Sequence, residues 1–472
     1  MADQSIIRIT KEISELQKSN DLSLAVAFRD RDVRSVKAMI IGPHETPYEF
    51  GFFEFSVKFN KGWSWPSTTV LSSTASLIHI GPPQEYPRKS PSVTCITTNS
   101  GRCRFNPNIY STGKVCLSIL GTWRGERGEE WSAAQGLESI LLSIQSLMSS
   151  NPYENEPGFE DANEAPDKKA QKDYVAKIRH ETLRIAVIQK LEEVLGLPGG
   201  GVAPLAPTER ETYDLDTDED MDVDDSSVPW EPFKDLYKRR FLWYYDSYLD
   251  AIKKAKEEVK DGQAFVRMPF EASSNTMDGV FNYTELERRL RTIKKTLDAE
   301  PTRWAVEGLT PKMKDSTVCV NLARQFDQVK ESFKRNDVHH NIELENGNPF
   351  VWIITYFGRP MTNFDGGMFR IKVSFSSRFP EEQPRIKFET PVFHHRVTAD
   401  GIPCYFPNPN RRDDVRQHIE AIFDTIEEEQ PPYDPRTQVH PEAHKLYWGG
   451  ADDRKVYNRR LRRSVQQSME DF

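Results

Sequence analysis

The sequence predicts an α+β fold that occurs twice along the chain. Three segments alternate apolar and polar residues, as antiparallel strands with one buried face do: 22–28, 35–41 and 53–59. The apolar segment from Leu137 to Met148 has the pattern of a helix that packs on such a sheet. The turn-and-strand pattern of 42–59 returns at 358–375, and this internal repeat predicts a second copy of the same layered architecture.

The bulk composition limits the class of protein. A chain of 472 residues exceeds one hydrophobic core, because single domains hold roughly 100–200 residues, so two or three folded units are expected. The net charge of −9 at neutral pH argues against a nucleic-acid-binding protein, which normally carries a basic domain. The chain opens without the basic and apolar regions of a signal peptide, and no stretch is long and apolar enough to span a bilayer. No membrane association is expected.

The cysteines form neither a disulfide pattern nor a paired metal-ligand motif. They are Cys95, Cys103, Cys116, Cys319 and Cys404. Free thiols in a reducing compartment are the simple interpretation. We therefore expect a cytoplasmic protein, a nuclear protein, or one that occupies both compartments.

The first element is an amphipathic helix over residues 5–18. Its apolar residues recur at spacings near three and four: Ile6, Ile9, Ile13 and Leu16. The three alternating segments follow, separated by Gly and Pro turns, and the helix from Leu137 to Met148 covers them. A long helical pattern then runs from Lys168 to Leu195.

The most informative segment runs from Asn106 to Leu120. Its turn, Asn106-Pro107-Asn108, is followed by Cys116, eight residues after Asn108. A cysteine that accepts an acyl group as a thioester acts as a thiolate, and it needs a polar donor near the developing oxyanion, held on a rigid turn. An isolated cysteine is by default a small buried apolar residue. The interpretation therefore depends on the spacing and on the flanking residues.

This segment resembles the active-site segment of the ubiquitin-conjugating enzymes. Other segments are similar to the family's strand turn, proline-rich loop and later loop: Gly42-Pro43-His44-Glu45-Thr46-Pro47-Tyr48, Tyr86-Pro87 and Trp131-Ser132-Ala133-Ala134. Two runs are similar to the Z-type members in particular: 120–123 and 151–159. The resemblance covers residue 5 to about residue 295.

The resemblance implies that Cys116 receives ubiquitin, or a ubiquitin-like protein, from an activating enzyme as a thioester. The modifier then passes to a lysine of a protein substrate or to a ubiquitin ligase. Asn108 is implied as the oxyanion donor, with a structural role in holding the turn as the alternative. ATP acts only on the activating enzyme, so the resemblance implies neither a cofactor nor a metal on this chain. The opening helix is where such enzymes meet the activating enzyme.

The residues near the thiol depart from the family pattern. Asn106 stands where the family usually has His, which predicts the loss of a structural hydrogen bond. Ser118 occupies a position where many relatives have Asp. Glu154 is then the remaining candidate for a carboxylate that activates the incoming amine, with a plain solvated acid as the alternative. Cys95 and Cys103 are expected to be structural.

Residues 61–85 do not fit the family pattern. Relatives join the third strand to the proline-rich loop with a few residues, whereas here an uncharged run from Gly62 to Ile80 intervenes. Its apolar residues, among them Leu71 and Ile78, are unusual for a surface loop. Two interpretations stay open. The run is either an insertion that loops out of the domain or an artefact of gene assignment such as an unspliced intron.

The chain divides into four predicted parts. Residues 5–198 form the catalytic ubiquitin-conjugating domain. Residues 199–228 form a disordered linker, because their acidic run cannot bury enough apolar surface to fold. A helical extension covers 229–300, and a second, degenerate ubiquitin-conjugating-enzyme-like domain covers 305–465.

The second copy carries an altered site. Cys404 lies eight residues after Arg396, which puts a guanidinium in place of the family's Asn amide. Arginine donates in a different geometry and adds a permanent positive charge. Such a charge lowers the pKa of a nearby thiol, yet it need not place a donor at the oxyanion. We favour Cys404 as an inert remnant, with a second thioester site as the alternative.

The sequence supports two classes of function. The first is an active Z-type ubiquitin-conjugating enzyme whose second domain is regulatory or binds partners. The second is a catalytically silent scaffold that binds ubiquitin. The intact segment around Cys116 favours the enzyme, whereas the run at 61–85 favours the scaffold if it disrupts the sheet.

Overall fold

The chain folds into two α+β units joined by helices, which confirms the predicted fold class. A computed structural model describes residues 4–19, 21–60, 86–125, 128–199, 230–271, 277–335 and 340–470. Each unit holds a four-stranded antiparallel sheet. The predicted insertion at 61–85 and residues 200–228 of the predicted linker lie outside the described residues, and the predicted domain boundaries stay predictions.

The first unit places a sheet of order β1-β2-β3-β4 between helices. Its elements are α1 (Gln4–Lys18), β1 (Leu24–Arg29), β2 (Asp32–Ile41), β3 (Phe52–Lys58), β4 (Ser92–Cys95), α2 (Leu137–Ser146) and α3 (Ala165–Glu181). Helix α3 continues through a π-helical segment, Thr182–Gln189, into α4 (Lys190–Leu195). The amphipathic opening helix and the three alternating strands are therefore present.

Both faces of the first sheet are buried at its centre. On one face Ala38 and Phe53 join the core formed with α1 and α2. On the other face Met39 and Phe52 pack against α5 (Lys234–Glu258), the first helix after the linker. An antiparallel sheet commonly leaves one face to water, so the apolar residues on this outer face require a cover. Helix α5 supplies it.

Helix α5 also reaches the second unit. The Tyr248 hydroxyl donates to the Phe50 carbonyl of the first unit at 2.8 Å, and the Trp243 indole N–H donates to the Pro403 carbonyl of the second unit at 3.1 Å. Three helices, each shorter than α5, then lead to the second unit: α6 (Tyr283–Asp298), α7 (Glu300–Gly308) and α8 (Pro311–Lys314). Helix α5 therefore lies between the two units and contacts both.

The second unit repeats the arrangement of the first, with a sheet of order β5-β6-β7-β8. Its elements are α9 (Thr317–Arg335), β5 (Asn341–Leu344), β6 (Val351–Phe357), β7 (Met368–Ser374), β8 (Arg385–Phe388), α10 (Val415–Glu427), α11 (Pro441–Trp448) and α12 (Ala451–Glu470). Both units carry a cis peptide bond in the loop before their fourth strand, at Tyr86-Pro87 and Phe379-Pro380.

Four histidines of the second unit are buried, and burial lowers the pKa of each. Burial lowers the pKa of His394 to about 3 and those of His418 and His444 to about 4. An imidazole in the unfolded chain titrates near pH 6.5, so below that pH the unfolded chain binds protons that the folded chain does not. We expect stability to fall as the pH drops from about 6.5 towards 4, by roughly 2 kcal/mol per histidine at pH 5.

Urea unfolding at pH 7 and at pH 5 measures this loss, and His418→Gln is expected to reduce it. His44 acts in the opposite direction, because its hydrogen bond to Glu49 raises its pKa. Its contribution is present below pH 6.5 and is lost as the pH rises through its folded pKa. Equal stability at the two pH values would contradict the expectation.

Candidate active site

The predicted catalytic segment is a tight turn that leads into the cysteine. The backbone N–H of Cys116 donates to the Asn108 carbonyl at 2.8 Å, and the Asn108 side-chain amide donates to the Cys116 carbonyl at 3.1 Å. Gly113 lies in this turn at φ 89°, where an added Cβ would lie 2.5 Å from the Cys95 carbonyl oxygen, so only glycine fits. The eight-residue spacing thus brings Asn108 and Cys116 into direct contact.

Asn106 anchors the start of this turn and is fully buried. Its amide nitrogen donates to the Tyr48 hydroxyl at 3.0 Å and to the Leu147 carbonyl at 2.8 Å. Its amide oxygen accepts from the Asn108 backbone N–H at 2.9 Å. The expectation that Asn106 costs the turn a structural hydrogen bond is therefore wrong, because a primary amide offers two donors and an acceptor.

A tyrosine contacts the candidate nucleophile. Cys116 ends the turn with 4% of its surface exposed. Burial, together with a hydrogen bond to the Cys116 thiol, raises the pKa of the Tyr110 phenol. The sequence pattern does not single out Tyr110, whose signal is only its position in the same turn, six residues before the cysteine.

A buried arginine fixes the turn to its surroundings. Arg104 donates through Nη2 to the Pro107 carbonyl at 2.5 Å and to a Glu156 carboxylate oxygen at 3.0 Å. Its guanidinium lies 4.7 Å from the centre of the Tyr110 ring, within the range of a cation–π contact. Arg104 therefore holds the turn, Tyr110 and the segment after α2 together. The motif spacing gives no signal for it.

The two predicted accessory residues have other partners. Ser118 donates through Oγ to a Glu129 carboxylate oxygen at 3.3 Å, and Glu154 accepts from the Asn151 amide at 2.7 Å. Over the part of the chain that the structure describes, neither is hydrogen-bonded to Cys116. Their roles in catalysis stay predictions.

Comparison with known proteins decides the family. The family model described as "Ubiquitin-conjugating enzyme" matches residues 8–76, 66–182 and 321–405, which together exceed half of the chain. The chain belongs to the ubiquitin-conjugating enzyme family.

The similar proteins include the Z-type enzymes. The chain is 33% identical to "Ubiquitin-conjugating enzyme E2 Z" of Xenopus tropicalis over 306 residues, which cover 65% of this chain and 76% of that protein. It is 34% identical to the protein of the same name from Danio rerio over 296 residues, which cover 63% of this chain and 70% of that protein. A shorter match, 36% over 193 residues, pairs 39% of this chain with 23% of the "Probable ubiquitin-conjugating enzyme protein 17" of Caenorhabditis elegans. The resemblance to the family and to its Z-type members is confirmed.

The second unit repeats the geometry of the first site, and the family model also matches it at 321–405. The Cys404 backbone N–H donates to the Arg396 carbonyl at 2.7 Å, as Cys116 does to Asn108. Arg396 donates through Nε and Nη2 to the Cys404 carbonyl at 3.2 and 3.0 Å. The guanidinium therefore takes the place of the Asn108 amide and serves the same backbone acceptor.

Helix α5 covers the second cysteine. Cys404 is fully buried, and burial raises the pKa of its thiol. Trp243 of α5 donates to the carbonyl of the adjacent Pro403, and the Arg396 guanidinium lies 5.0 Å from the Phe406 ring. Cys404 is thus less exposed than Cys116, at 0% against 4%. The interpretation of Cys404 as an inert remnant stays a prediction.

The other two cysteines of the first unit are buried core residues. Burial raises the pKa of Cys95 to about 12 and also raises that of Cys103.

Across the described ranges, no set of three His, Cys, Asp or Glu side chains is placed to hold a metal ion. The helices of these ranges include none whose length and apolar character would let it cross a membrane.

Proposed function

We propose that this chain is an active conjugating enzyme that carries ubiquitin, or a ubiquitin-like protein, as a thioester on Cys116. The observation that supports the proposal is the geometry of the turn, in which Asn108 and Tyr110 both contact Cys116. A thiol at the end of a rigid turn, with polar groups beside it, suits nucleophilic acyl transfer.

The proposed reaction consists of two acyl transfers. The Cys116 thiolate attacks the thioester carbonyl of the modifier held by the activating enzyme. A C–S bond to Cys116 forms, and the activating enzyme leaves as a thiolate. A substrate lysine amine then attacks the new thioester, loses a proton, forms an isopeptide bond and releases the Cys116 thiolate. Where a ligase cysteine is the acceptor, the second step is another thioester exchange.

Asn108 is proposed to act both as a structural residue and as an oxyanion donor. Its Nδ2 gives one hydrogen to the Cys116 carbonyl, and a primary amide has a second hydrogen for the oxyanion. We expect Asn108→Ala to slow transfer of the modifier from Cys116 to free lysine by roughly 10²-fold or more, the effect of removing one oxyanion donor. Single-turnover discharge of the isolated thioester measures this rate.

Charging and stability separate the two roles of Asn108. The oxyanion role is supported if the variant forms the Cys116 thioester at the wild-type rate and unfolds at the wild-type temperature, but transfers the modifier to lysine slowly. Equal losses in charging, discharge and stability would leave Asn108 with the structural role alone. Asn155→Ala is the matched control, because Asn155 is also an amide and, among the hydrogen bonds of the described residues, it reaches the turn through Asn106 at 3.4 Å and not through Asn108 or Cys116.

Ser118 and Glu154 are proposed accessory groups for the second transfer. Glu154 would take a proton from the incoming amine, which requires it to leave the Asn151 amide at 2.7 Å. Discharge rates of Glu154→Gln and Ser118→Ala between pH 6 and pH 9 test this role. A rate and pH profile equal to those of the wild type would remove both residues from the site.

The proposed partners follow from family membership. Helix α1 presents Ile6 and Ile7 to solvent, 39% and 56% exposed, and this apolar surface is available to an activating enzyme. Ubiquitin ligases and protein substrates are the proposed acceptors. The cytoplasm, the nucleus or both are the proposed compartments, and neither a nucleic acid nor a membrane is proposed as a partner.

Incubation with ubiquitin-activating enzymes, ATP and ubiquitin or ubiquitin-like proteins tests the proposed function. The expected product is an adduct that thiol reductants remove and that mass spectrometry assigns to Cys116. If no pair of activating enzyme and modifier gives an adduct, the catalytically silent ubiquitin-binding scaffold becomes the better hypothesis. Calorimetric titration of the uncharged chain with ubiquitin would then test that scaffold role.

A further inference from the structure

A cavity of about 650 Å³ lies between the two units, away from the candidate active site. Its walls come from the end of α1 and from β1, from the start of α5, and from the segment after Cys404. Apolar and aromatic side chains form part of its surface: Leu24, Phe233, Trp243, Tyr405 and Phe406. Small-molecule sites in proteins have volumes of roughly 300–1,000 Å³, so the cavity has the size of such a site.

A buried arginine lines this cavity without a partner. Arg240 is 8% exposed, and its Nε and Nη1 atoms are buried without a hydrogen-bond acceptor. Its guanidinium lies 4.4 Å from the centre of the Trp243 ring. Among the residues that the structure describes, no carboxylate pairs with it, and desolvation lowers its pKa. Buried polar atoms almost always have partners, so these two unsatisfied donors require an explanation.

The acidic residues of the cavity do not neutralise Arg240. Asp21 is paired with Arg436 at 2.5 Å. Asp235 is paired with Arg239 and with Arg385, both at 2.9 Å. Both carboxylates are therefore already committed to other cations.

Two further charged residues of the cavity wall are Arg412 and Glu381. Arg412 also lines the cavity, and desolvation together with the charge of Arg239 lowers its pKa. Glu381 is exposed at the rim, and its charge acts on Arg378. Arg240 therefore faces this space as a cation that no described carboxylate pairs with, whereas Arg412 is exposed and the charge of Asp235 acts on it.

We propose that this cavity binds a small organic anion, a molecule that carries a phosphate or carboxylate group on an apolar body. Arg240 holds the anionic group, Arg412 supplies a second positive charge, and the aromatic wall around Trp243 holds the body. Nε and Nη1 are enclosed by protein, whereas Nη2 is not among the enclosed nitrogens, so an anion reaches the planar guanidinium through Nη2 and supplies the negative charge that Arg240 lacks. Because the walls belong to both units, a bound molecule stabilises their arrangement.

Titration of the full chain with pyrophosphate and, separately, with citrate at fixed ionic strength tests the site. Isothermal titration calorimetry measures the affinity, and thermal unfolding measures the stabilisation. The tighter of the two anions identifies the group, phosphate or carboxylate. Arg240→Gln is expected to weaken binding roughly tenfold or more, because it removes charge-assisted hydrogen bonds. Arg462→Gln, at an exposed position of α12, is the matched control and leaves binding unchanged.

Stability without the anion is a second readout. Arg240→Gln is expected to unfold at the wild-type temperature or above it, because the substitution removes a buried, unpaired charge. Should this variant not fold, Arg412→Gln replaces it, with a smaller expected loss of affinity. The proposal is overturned if neither anion binds saturably or if Arg240→Gln binds as well as the wild type. Binding that appears only after deletion of residues 214–225 would assign the cavity to that acidic run and would also overturn it.

Discussion

Replacing Cys116 with alanine is expected to abolish the reductant-sensitive adduct, whereas Cys404→Ala is expected to leave it unchanged. Cys116 ends a turn in which Asn108 and Tyr110 contact it. Cys404 is fully buried beneath α5. Because the proposed nucleophile would carry the covalent intermediate, its loss is expected to lower transfer of the modifier to lysine by roughly 10³-fold or more.

A serine variant gives the sharper version of this experiment. Cys116→Ser places an oxygen nucleophile at the same position, and the resulting ester resists thiol reductants but not hydroxide. Thermal unfolding of each variant shows whether it is folded. An adduct that persists in Cys116→Ala and disappears in Cys404→Ala would exchange the roles of the two units. An adduct that persists in both would place the thioester on another cysteine.

Replacing Lys177 with methionine is expected to destabilise the chain by about 3–5 kcal/mol. The Lys177 ammonium is fully buried and contacts both carboxylate oxygens of Glu271, at 2.6 and 2.8 Å, and the Val266 carbonyl at 3.0 Å. Without the ammonium, Glu271 is a buried carboxylate that lacks a cation. Urea unfolding of the variant and the wild type measures the difference.

Two further variants separate this ion pair from general damage to α3. Arg179→Met, on the same helix as Lys177, removes a more exposed pair with Glu258 of α5, and such pairs contribute roughly 0–1 kcal/mol. The double variant Lys177→Met, Glu271→Met is expected to regain most of the stability, because no unpaired charge remains. A loss below about 1 kcal/mol in Lys177→Met alone would mean that burial does not strengthen the pair.

The same ion pair supports the candidate active site. Glu271 follows Phe270, whose ring packs against Tyr153 at 5.4 Å and lies 5.9 Å from the Arg104 guanidinium. Arg104 in turn contacts the turn and Tyr110. Residues between α5 and α6 are thus part of the support of the Cys116 site, although they lie far from it along the chain.

Features with local signals could be predicted from the sequence. The apolar spacing of α1 is a local pattern, and so is the eight-residue separation that places Asn108 against Cys116, because both residues belong to one turn. The internal repeat predicts the second sheet for the same reason, since each strand carries its own alternation.

Long-range support could not be predicted in this way. The apolar residues Met39 and Phe52 show that a face is buried, but not that α5 buries it. Arg104 contacts Glu156 and Phe270, whose distance along the chain leaves no periodic trace. The departure from the family pattern at Asn106 is equally misleading, because the change from His suggests a lost hydrogen bond although the amide forms four.

Helix α5 packs on two sides, against the apolar outer face of the first sheet and over Cys404 in the second unit. A shift of α5 would therefore change both contacts at once. A descendant that uncovered Cys404 by shifting α5 would expose Met39 and Phe52 to water. Selection that keeps α5 on the first sheet therefore also keeps Cys404 covered. Exposure of Cys404 therefore requires a new cover for that sheet.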